Sequence, residues 1–387
     1  MNALAVTGGF FIKDAVKPSS CADMMWRRAF LLVVLLLPGW AMASAPRVTF
    51  LNPGYSNELF WLSVSEFMQA AADDLDMQLT VLYAERDHQR MVQQAREMLN
   101  SAEPPDYLVV VNETFVGPEL LRLTQGKPVK LFMLLNNLTL AQQAQTGRPR
   151  EKHPQWIGAL VPDNIAAGRL MAQRLIEQAR RQGFTEPLQL LALAGGNVTP
   201  AALEREQGLR EALASEPNVQ LQQLVYARWR RDKALSKSLF LLKRYPQAQL
   251  IWAANDQMAF GAIDALRSQE KVPGQDVLVA ALNNSDAAFN ARINNEFAVL
   301  MAGHFTAGGW AMVLLYDYAN GHDFAPRAGV ELRYPLFEEV TPAMAKQLRD
   351  RLNTADYAQL NFKALSATHN PSLERYDFGL KHLLSNP

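Results

Sequence analysis

Apolar runs alternate with amphipathic stretches from residue 47 to about residue 282. The runs at residues 107–111 (YLVVV) and 129–135 have the composition that a parallel strand covered on both faces requires. Stretches such as residues 57–75 carry apolar positions on one helical stripe. The pattern predicts strands at residues 47–51, 79–83, 107–111, 129–135, 156–160, 188–194, 221–227, 250–253 and 277–282, and helices at residues 57–75, 87–99, 164–182, 200–214, 233–244 and 257–268.

Repeated strand–helix units of this kind predict an α/β protein with doubly wound parallel sheets and right-handed crossovers. A chain of 387 residues suits two such domains. The polar stretch at residues 141–154 is either the passage between them or an elaborated surface loop. Residues 345–387 differ from the rest and contain helical fragments.

The N-terminal region has the order of a secretory signal. Residues 24–28 (MMWRR) are basic, residues 29–37 (AFLLVVLLL) are apolar but too short for a membrane span, and residues 41–43 (AMA) form a cleavage pattern. We therefore expect a signal peptide at residues 24–43, cleavage near Ala43 and a periplasmic protein; a buried N-terminal element is the alternative. Our hypothesis is that translation begins at Met24 or Met25. The single cysteine, Cys21, precedes the signal, so the mature chain would lack both disulfides and thiol chemistry.

Composition and motifs argue against several classes of protein. A formal net charge of +0 gives no electrostatic reason to expect nucleic acid or an acidic membrane as partner. The chain has no G-x-S-x-G elbow, Walker A loop or early G-x-G-x-x-G, and its six histidines lack metal-site spacing. Residues 194–197 (AGGN) lack the Lys-Ser/Thr of a phosphate loop, so an ordinary turn is favoured. We expect no enzyme activity, no cofactor and no metal.

Polar and aromatic side chains gather where predicted strands end, which is where open α/β sheets bind ligands. Amides, a guanidinium and a carboxylate can bond neighbouring hydroxyls, and aromatic rings can cover the apolar face of a sugar-like ring. The alternative is that the Asn and Asp residues only cap helices and turns. The candidate ligand residues are Asn57, Phe60, Trp61, Asn136, Asn137, Arg205, Trp229, Asn255, Asp256 and Asn283, with Asn284 beside the last.

Four stretches carry a family resemblance. Residues 252–262 (WAANDQMAFGA) are similar to an N-D-x-M-A-x-G-A segment, and Arg205 lies three residues before Gly208. Together with Trp229 and the loop holding Asn57 and Phe60, they resemble the type I periplasmic binding proteins of the ribose-binding kind across residues 47–340. The resemblance implies that Asn255 or Asp256 and Arg205 hold ligand hydroxyls and that Trp229 covers the solute.

The chain also departs from that family pattern. Asn136-Asn137 stands where pentose binders carry Asp-Arg, Asn283 replaces an Asp, and Gly303 or His304 replaces a Gln or Arg. Ribose itself is therefore in doubt. Other segments, including residues 52–55 (NPGY) and 337–341 (FEEVT), resemble the autoinducer-2-binding periplasmic receptor, although the arginine that this receptor uses near the third crossover is missing.

The resemblance implies two lobes joined by three crossover strands around a ligand cleft. The expected N-terminal lobe covers residues 46–161 and 304–330, the C-terminal lobe residues 162–303 and 331–345, and a helical tail residues 346–387. The implied function is capture of a small polar, sugar-like solute by hinge closure and delivery to the membrane permease of an ABC importer. A membrane sensor, such as a kinase or cyclase, is the alternative partner. A sugar-responsive repressor would need an N-terminal helix-turn-helix in place of the export signal.

Overall fold

The computed structural model describes residues 45–353, 357 and 359–384. The predicted signal peptide and Cys21 lie outside the described residues. Within the described part, no helix is both long and apolar enough to cross a lipid bilayer.

Strands and helices alternate along the chain in the predicted order. The elements before the first crossover are β1 (Arg47–Asn52), α1 (Leu59–Asp74), β2 (Gln78–Tyr83), α2 (His88–Leu99), β3 (Tyr107–Val110), α3 (Gly117–Leu123), β4 (Lys130–Leu134), α4 (Leu140–Thr146) and β5 (Trp156–Pro162). Those up to the second crossover are α5 (Asn164–Arg181), β6 (Leu188–Ala194), α6 (Pro200–Ala214), β7 (Val219–Tyr226), α7 (Arg231–Arg244), β8 (Leu250–Ala253), α8 (Asp256–Ser268), β9 (Leu278–Leu282), α9 (Asp286–Ile293) and β10 (Val299–Ala302). The remaining elements are α10 (Ala307–Ala319), α11 (Ala325–Ala328), β11 (Glu331–Tyr334), β12 (Glu338–Glu339), α12 (Pro342–Asn353) and α13 (Lys381–Leu384).

Two six-stranded sheets form the centres of two lobes, which confirms the predicted fold class. The first sheet has the order β11-β5-β4-β3-β1-β2 and is parallel throughout. The second has the order β12-β10-β9-β8-β6-β7, in which only β12 is antiparallel. Strands such as β3 and β8 are buried along their whole length, as their apolar sequences predict.

The chain passes between the sheets at residue 163, at residue 303 and at residues 335–337. The third passage comes later than predicted: β11 pairs with β5, so residues 331–334 lie in the first sheet rather than in the C-terminal lobe. This short edge strand (ELRY) lacks the apolar run from which the other strands were predicted. Residues 141–154 connect β4 to β5, which pair with each other, so they form a surface excursion of the first lobe.

Close packing of α5 on α6 fixes one wall of the second lobe. A Cβ atom on Gly168 would lie 2.1 Å from the Arg205 carbonyl oxygen, and one on Gly208 would lie 2.0 Å from the Ile165 carbonyl oxygen. The buried Trp252 on β8 donates its Nε1–H to the Gly168 carbonyl at 3.2 Å. Glycine at these two positions therefore sets how deep the backbone of α6 lies.

The C-terminal tail touches both lobes. Its first part, α12, is helical as predicted and packs on α9 of the second lobe. From residue 357 onward it consists mainly of turns and returns to the first lobe, where Phe362 lies 5.4 Å from the Phe67 ring and Phe378 stacks on Trp310 at 5.1 Å between centroids. The tail therefore braces its own protein.

Candidate ligand-binding site

The carboxyl ends of the parallel strands, the position where open α/β sheets bind ligands, face each other in the two lobes and define the candidate cleft. The lobes are in contact across it. The amide oxygen of Asn136 accepts a hydrogen bond from the Ala201 backbone N–H at 2.9 Å, and Asn284 Nδ2 donates to Ser63 Oγ at 3.0 Å. The structure is therefore a closed arrangement in which the two half-sites face each other.

The first lobe contributes aromatic rings. Phe60 and Trp61 lie in the first turn of α1, and their rings meet edge to face at 5.0 Å. Phe60 stacks on His304 at 4.5 Å, and His304 stacks on Phe337 at 4.8 Å. Gly54 in the loop before α1 makes room for this wall, because a Cβ atom there would lie 2.1 Å from Trp61 Cδ1.

His304 is an uncharged member of that wall. It is 4 % exposed and occupies the short helical turn that follows the second crossover. Burial lowers the pKa of its imidazole well below the usual value, and the positive charge of Arg205 adds to the shift. The ring therefore acts as a neutral hydrogen-bonding group at neutral pH.

The second lobe contributes the charged group that the sequence singled out on α6. Arg205 is 5 % exposed; its Nε donates to Asn164 Oδ1 at 2.9 Å and its Nη1 to the Ala254 carbonyl at 2.8 Å. Its guanidinium carbon lies 5.6 Å from the Trp229 ring and 5.4 Å from the Phe337 ring. Burial lowers the pKa of Arg205 to about 9, a shift that the charge of Glu204 opposes, so the side chain stays cationic at pH 7.

Asp256 begins α8 and is held by its neighbours. Its Oδ1 accepts from the Gln257 N–H at 2.8 Å and from Asn283 Nδ2 at 3.1 Å, while its Oδ2 accepts from Ser285 Oγ. Burial raises the pKa of Asp256, and the hydrogen bonds from Ser285 and Asn283 oppose the rise. Asp256 thus fixes the orientation of the Asn283 amide by accepting from its Nδ2, and the Asn283 amide oxygen points away from Asp256.

Several polar atoms at the cleft are buried without a hydrogen-bond partner in the described structure. Both lobes contribute such atoms. Two are ring nitrogens and two are amide oxygens: Trp61 Nε1, His304 Nδ1, Asn283 Oδ1 and Asn284 Oδ1. An unpaired buried polar atom costs about 1–3 kcal/mol. Groups placed in this way are what a polar ligand would satisfy.

The predicted residues take different places. Phe60, Trp61, Arg205, Trp229, Asp256 and Asn283 meet at the cleft. Asn255 caps α8 through Met258 N–H and donates to the Trp229 carbonyl at 3.2 Å, so it also fixes the ring-bearing loop. Asn57 is exposed at the rim.

The two amides after β4 have protein partners. Asn136 bridges the lobes as described, and its Nδ2 lies 3.4 Å from Glu113 Oε2. Asn137 Nδ2 donates to Glu331 at 2.7 Å. His304 and Phe337 were not among the predicted site residues. Both lie in or next to crossover segments. The sequence signal that could have indicated them is an aromatic residue shortly after the end of a strand.

A charged group borders the aromatic wall. Arg86 lies 5.9 Å from the Trp61 ring centroid and forms ion pairs with Glu58 and, at 3.0 Å, with Glu113. Burial raises the pKa of Glu113, and the charge of Arg86 opposes the rise. Arg86 and its two carboxylate partners therefore interact with one another within the first lobe, beside the aromatic wall.

Within the described residues, no cluster of three or more His, Cys, Asp or Glu side chains could hold a metal ion. The strand-end residues are instead amides, rings, one guanidinium and one carboxylate. Such a set is suited to binding a small polar molecule through directed hydrogen bonds.

Comparisons with known proteins agree with this geometry. Residues 157–323 match the family described as periplasmic binding protein domain. A solved periplasmic sugar-binding protein from Pseudomonas fluorescens is 45% identical, covers 89% of this chain and 100% of its own, and superposes with a TM-score of 0.81. The chain belongs to the periplasmic binding protein family.

More distant relatives are similar in sequence over much of their length. The galactofuranose-binding protein of Escherichia coli K12 is 20% identical over 279 residues, 70% of this chain and 82% of that protein. The ribose import binding protein of the same organism is 27% identical over 255 residues, 64% of this chain and 75% of that protein.

Proposed function

We propose that this protein captures a small, neutral, sugar-like solute in the cleft and delivers it to an ABC importer. The observation that carries the proposal is the set of buried, unpaired polar atoms on both lobes, contributed by Trp61, His304, Asn283 and Asn284. Hydroxyl groups both donate and accept, so a polyol can satisfy donors and acceptors together. The named binding targets of the relatives, galactofuranose and ribose among them, belong to the same chemical class.

The charge balance of the site favours a neutral ligand. The cleft contains one buried cation, Arg205, and one buried carboxylate, Asp256, while His304 stays neutral. The rings of Phe60 and Trp229 offer apolar faces for the C–H side of a sugar ring.

Binding then drives closure. A solute that touches both half-sites stabilises the closed form by the contacts that it makes there and cannot make in the open form. The predicted signal peptide at residues 24–43 supports action in the periplasm, where the closed form would meet the permease. A membrane sensor is the alternative partner, and the tail gives it no particular support because its apolar residues pack on the protein itself.

Isothermal titration calorimetry on ligand-free protein tests the proposal. The panel should contain neutral pentoses, hexoses and polyols, including ribose, arabinose, galactose, allose, xylitol and myo-inositol, together with ribose 5-phosphate as an anionic comparison. We expect at least one neutral compound to bind and the phosphate to fail. Removal of the Asn283 amide (Asn283→Ala) should weaken binding about 5- to 150-fold. The matched control Asn294→Ala alters an exposed amide on α9's C-terminal side and should leave affinity unchanged.

Exclusive binding of the anionic compound would contradict the proposed ligand class. The route of delivery needs a separate experiment: a deletion strain should lose growth on the bound solute. Normal uptake together with an altered signalling output would favour the sensor.

A further inference from the structure

A chain of polar contacts leads from the hinge to the ligand arginine. Arg205 Nε donates to Asn164 Oδ1 at 2.9 Å, and Asn164 Nδ2 lies 3.3 Å from Glu204 Oε2. Glu204 in turn accepts two hydrogen bonds from Arg333, from Nη2 at 2.7 Å and from Nη1 at 3.2 Å. Four side chains therefore form one continuous path.

The path crosses between the lobes at a single link. Arg333 lies on β11 in the first sheet, directly before the third crossover, whereas Glu204 lies on α6 in the second lobe. Asn164 begins α5 directly after the first crossover. Neighbouring residues on a helix point about 100° apart, so Glu204 faces the hinge while Arg205 faces the cleft. In the closed arrangement Arg333 and Glu204 are in contact across the lobes.

Glu204 and the Pro162 carbonyl together hold the Asn164 amide in one orientation. Asn164 is 1 % exposed, and its Nδ2 has two acceptors, the Pro162 carbonyl at 3.2 Å and Glu204. With Nδ2 held there, Oδ1 is presented to Arg205. A flipped amide would set one donor against another at Arg205 Nε. The negative charge of Glu204 polarises the amide and strengthens its oxygen as an acceptor.

We propose that Glu204 is a positioning residue for Arg205: it orients the guanidinium through Asn164, and it accepts Arg333 from the other lobe so that lobe closure and arginine orientation are coupled. This inference rests on the proposed function, since it assigns Arg205 to ligand binding. It explains why a buried cation whose direct partners are neutral oxygens has a carboxylate one residue away.

The substitution Glu204→Gln tests the positioning role because it keeps the size and removes the charge. The control is Glu206→Gln on the same helix, whose carboxylate pairs with Arg210 at 2.8 Å and accepts from Tyr226 OH, outside the path. The first readout is the Nε–Hε signal of Arg205 in ¹⁵N–¹H NMR spectra, assigned by its loss in Arg205→Lys. We expect Glu204→Gln to shift or broaden this signal and Glu206→Gln to leave it in place.

The second readout is affinity for whichever sugar of the calorimetry panel binds. We expect Glu204→Gln to weaken binding roughly 10-fold, the size of one charge-assisted contact, with no change for the control. Arg333→Gln removes the link to Glu204 between the lobes, together with a longer contact of Arg333 with Asp163 at 3.9 Å. It should weaken binding while leaving the ligand-free Arg205 signal unchanged, and it should reduce the ligand-induced fall in radius of gyration measured by small-angle X-ray scattering.

An unaltered Arg205 signal in Glu204→Gln would overturn the positioning role. Unchanged affinity in Arg333→Gln would overturn the coupling to closure. Equal loss of thermal stability in Glu204→Gln and Glu206→Gln, without a change in the Arg205 NMR signal, would show that Glu204 has a purely structural role. If no compound of the panel binds the unsubstituted protein, the proposed function fails, yet the ligand-free NMR comparison still decides whether Glu204 orients Arg205.

Discussion

The attachment of the tail depends on one buried carboxylate, and its replacement makes a sharp stability test. Asp317 on α10 is fully buried and accepts hydrogen bonds from the tail at both oxygens. Oδ1 accepts from Ser366 Oγ and from the N–H and Oγ1 of Thr368 at 2.9 and 2.8 Å. Oδ2 accepts from the Ala367 N–H and from Tyr376 OH, each at 2.8 Å. A single side chain therefore holds residues 366–376 against the first lobe.

The substitution Asp317→Asn keeps the shape and replaces one acceptor oxygen by a donor. The less damaging choice places the NH₂ group at the Oδ2 position. The Tyr376 hydroxyl can then rotate to accept, but the Ala367 N–H stays buried without an acceptor, which costs about 1–3 kcal/mol. The remaining bonds lose the charge that made them roughly twice as strong. We expect a loss of about 3–5 kcal/mol in the free energy of unfolding.

Urea unfolding followed by tryptophan fluorescence measures that loss, because Trp310 stacks on the tail residue Phe378. Limited proteolysis with mass spectrometry then shows whether the tail of Asp317→Asn is cut before the lobes. The matched control is Asp73→Asn, which alters an exposed carboxylate that accepts from Gln69 on the same helix. A loss below about 1 kcal/mol relative to this control, with an uncut tail, would refute the reasoning.

Two further predictions concern the site and its wall. Below about pH 6.5 the His304 imidazole takes up a proton in the unfolded chain but stays neutral in the folded protein, where burial lowers its pKa. The free energy of unfolding therefore falls as the pH drops from 7 to 5, by at most about 2 kcal/mol from this group. His304→Gln should flatten the pH profile of stability measured by urea unfolding, and His88→Gln, at an exposed position, should not. Gly168→Ala should cost about 2–3 kcal/mol in thermal unfolding and weaken solute binding by displacing Arg205, whereas Gly196→Ala, with open space around its Cβ, should do neither.

The lobes could be predicted because their strands are recognisable without tertiary information. Runs such as β3 (YLVV) can only be covered on both faces, and the alternation of strands and helices then dictates parallel sheets. β11 (ELRY) was assigned to the other lobe because an edge strand half open to solvent has no such signal. The path of the tail beyond residue 357 is determined by its hydrogen bonds to Asp317. These bonds join residues 49 or more positions apart, which local periodicity does not encode.

Asp256 was predicted to follow a strand, and it begins α8 shortly after β8 ends. Arg205 was singled out by its spacing to Gly208, and it lies within α6 rather than at a strand end. Their contact with a ligand stays a prediction. The role of a side chain was not predictable where it depends on a contact with the other lobe. Asn136 was predicted to bind ligand, and its amide oxygen accepts from the Ala201 N–H in the other lobe, a contact between lobes that the sequence did not indicate. His304 and Phe337 enter the cleft from crossover segments, whose place is known only once both sheets are assembled.

Contacts between the lobes, the Arg333–Glu204 pair among them, and buried polar atoms without partners act in opposite directions on the closed arrangement. Polar contacts such as Asn136–Ala201 and Asn284–Ser63 each contribute about 0.5–1.5 kcal/mol. Against them stand buried atoms without partners, Trp61 Nε1 and His304 Nδ1 among them, at about 1–3 kcal/mol each. A shift from 1:99 to 99:1 in favour of closure needs about 5.5 kcal/mol of differential binding. A solute that satisfies these atoms from both lobes supplies free energy of that order, so the same residues recognise the solute and report its presence as closure.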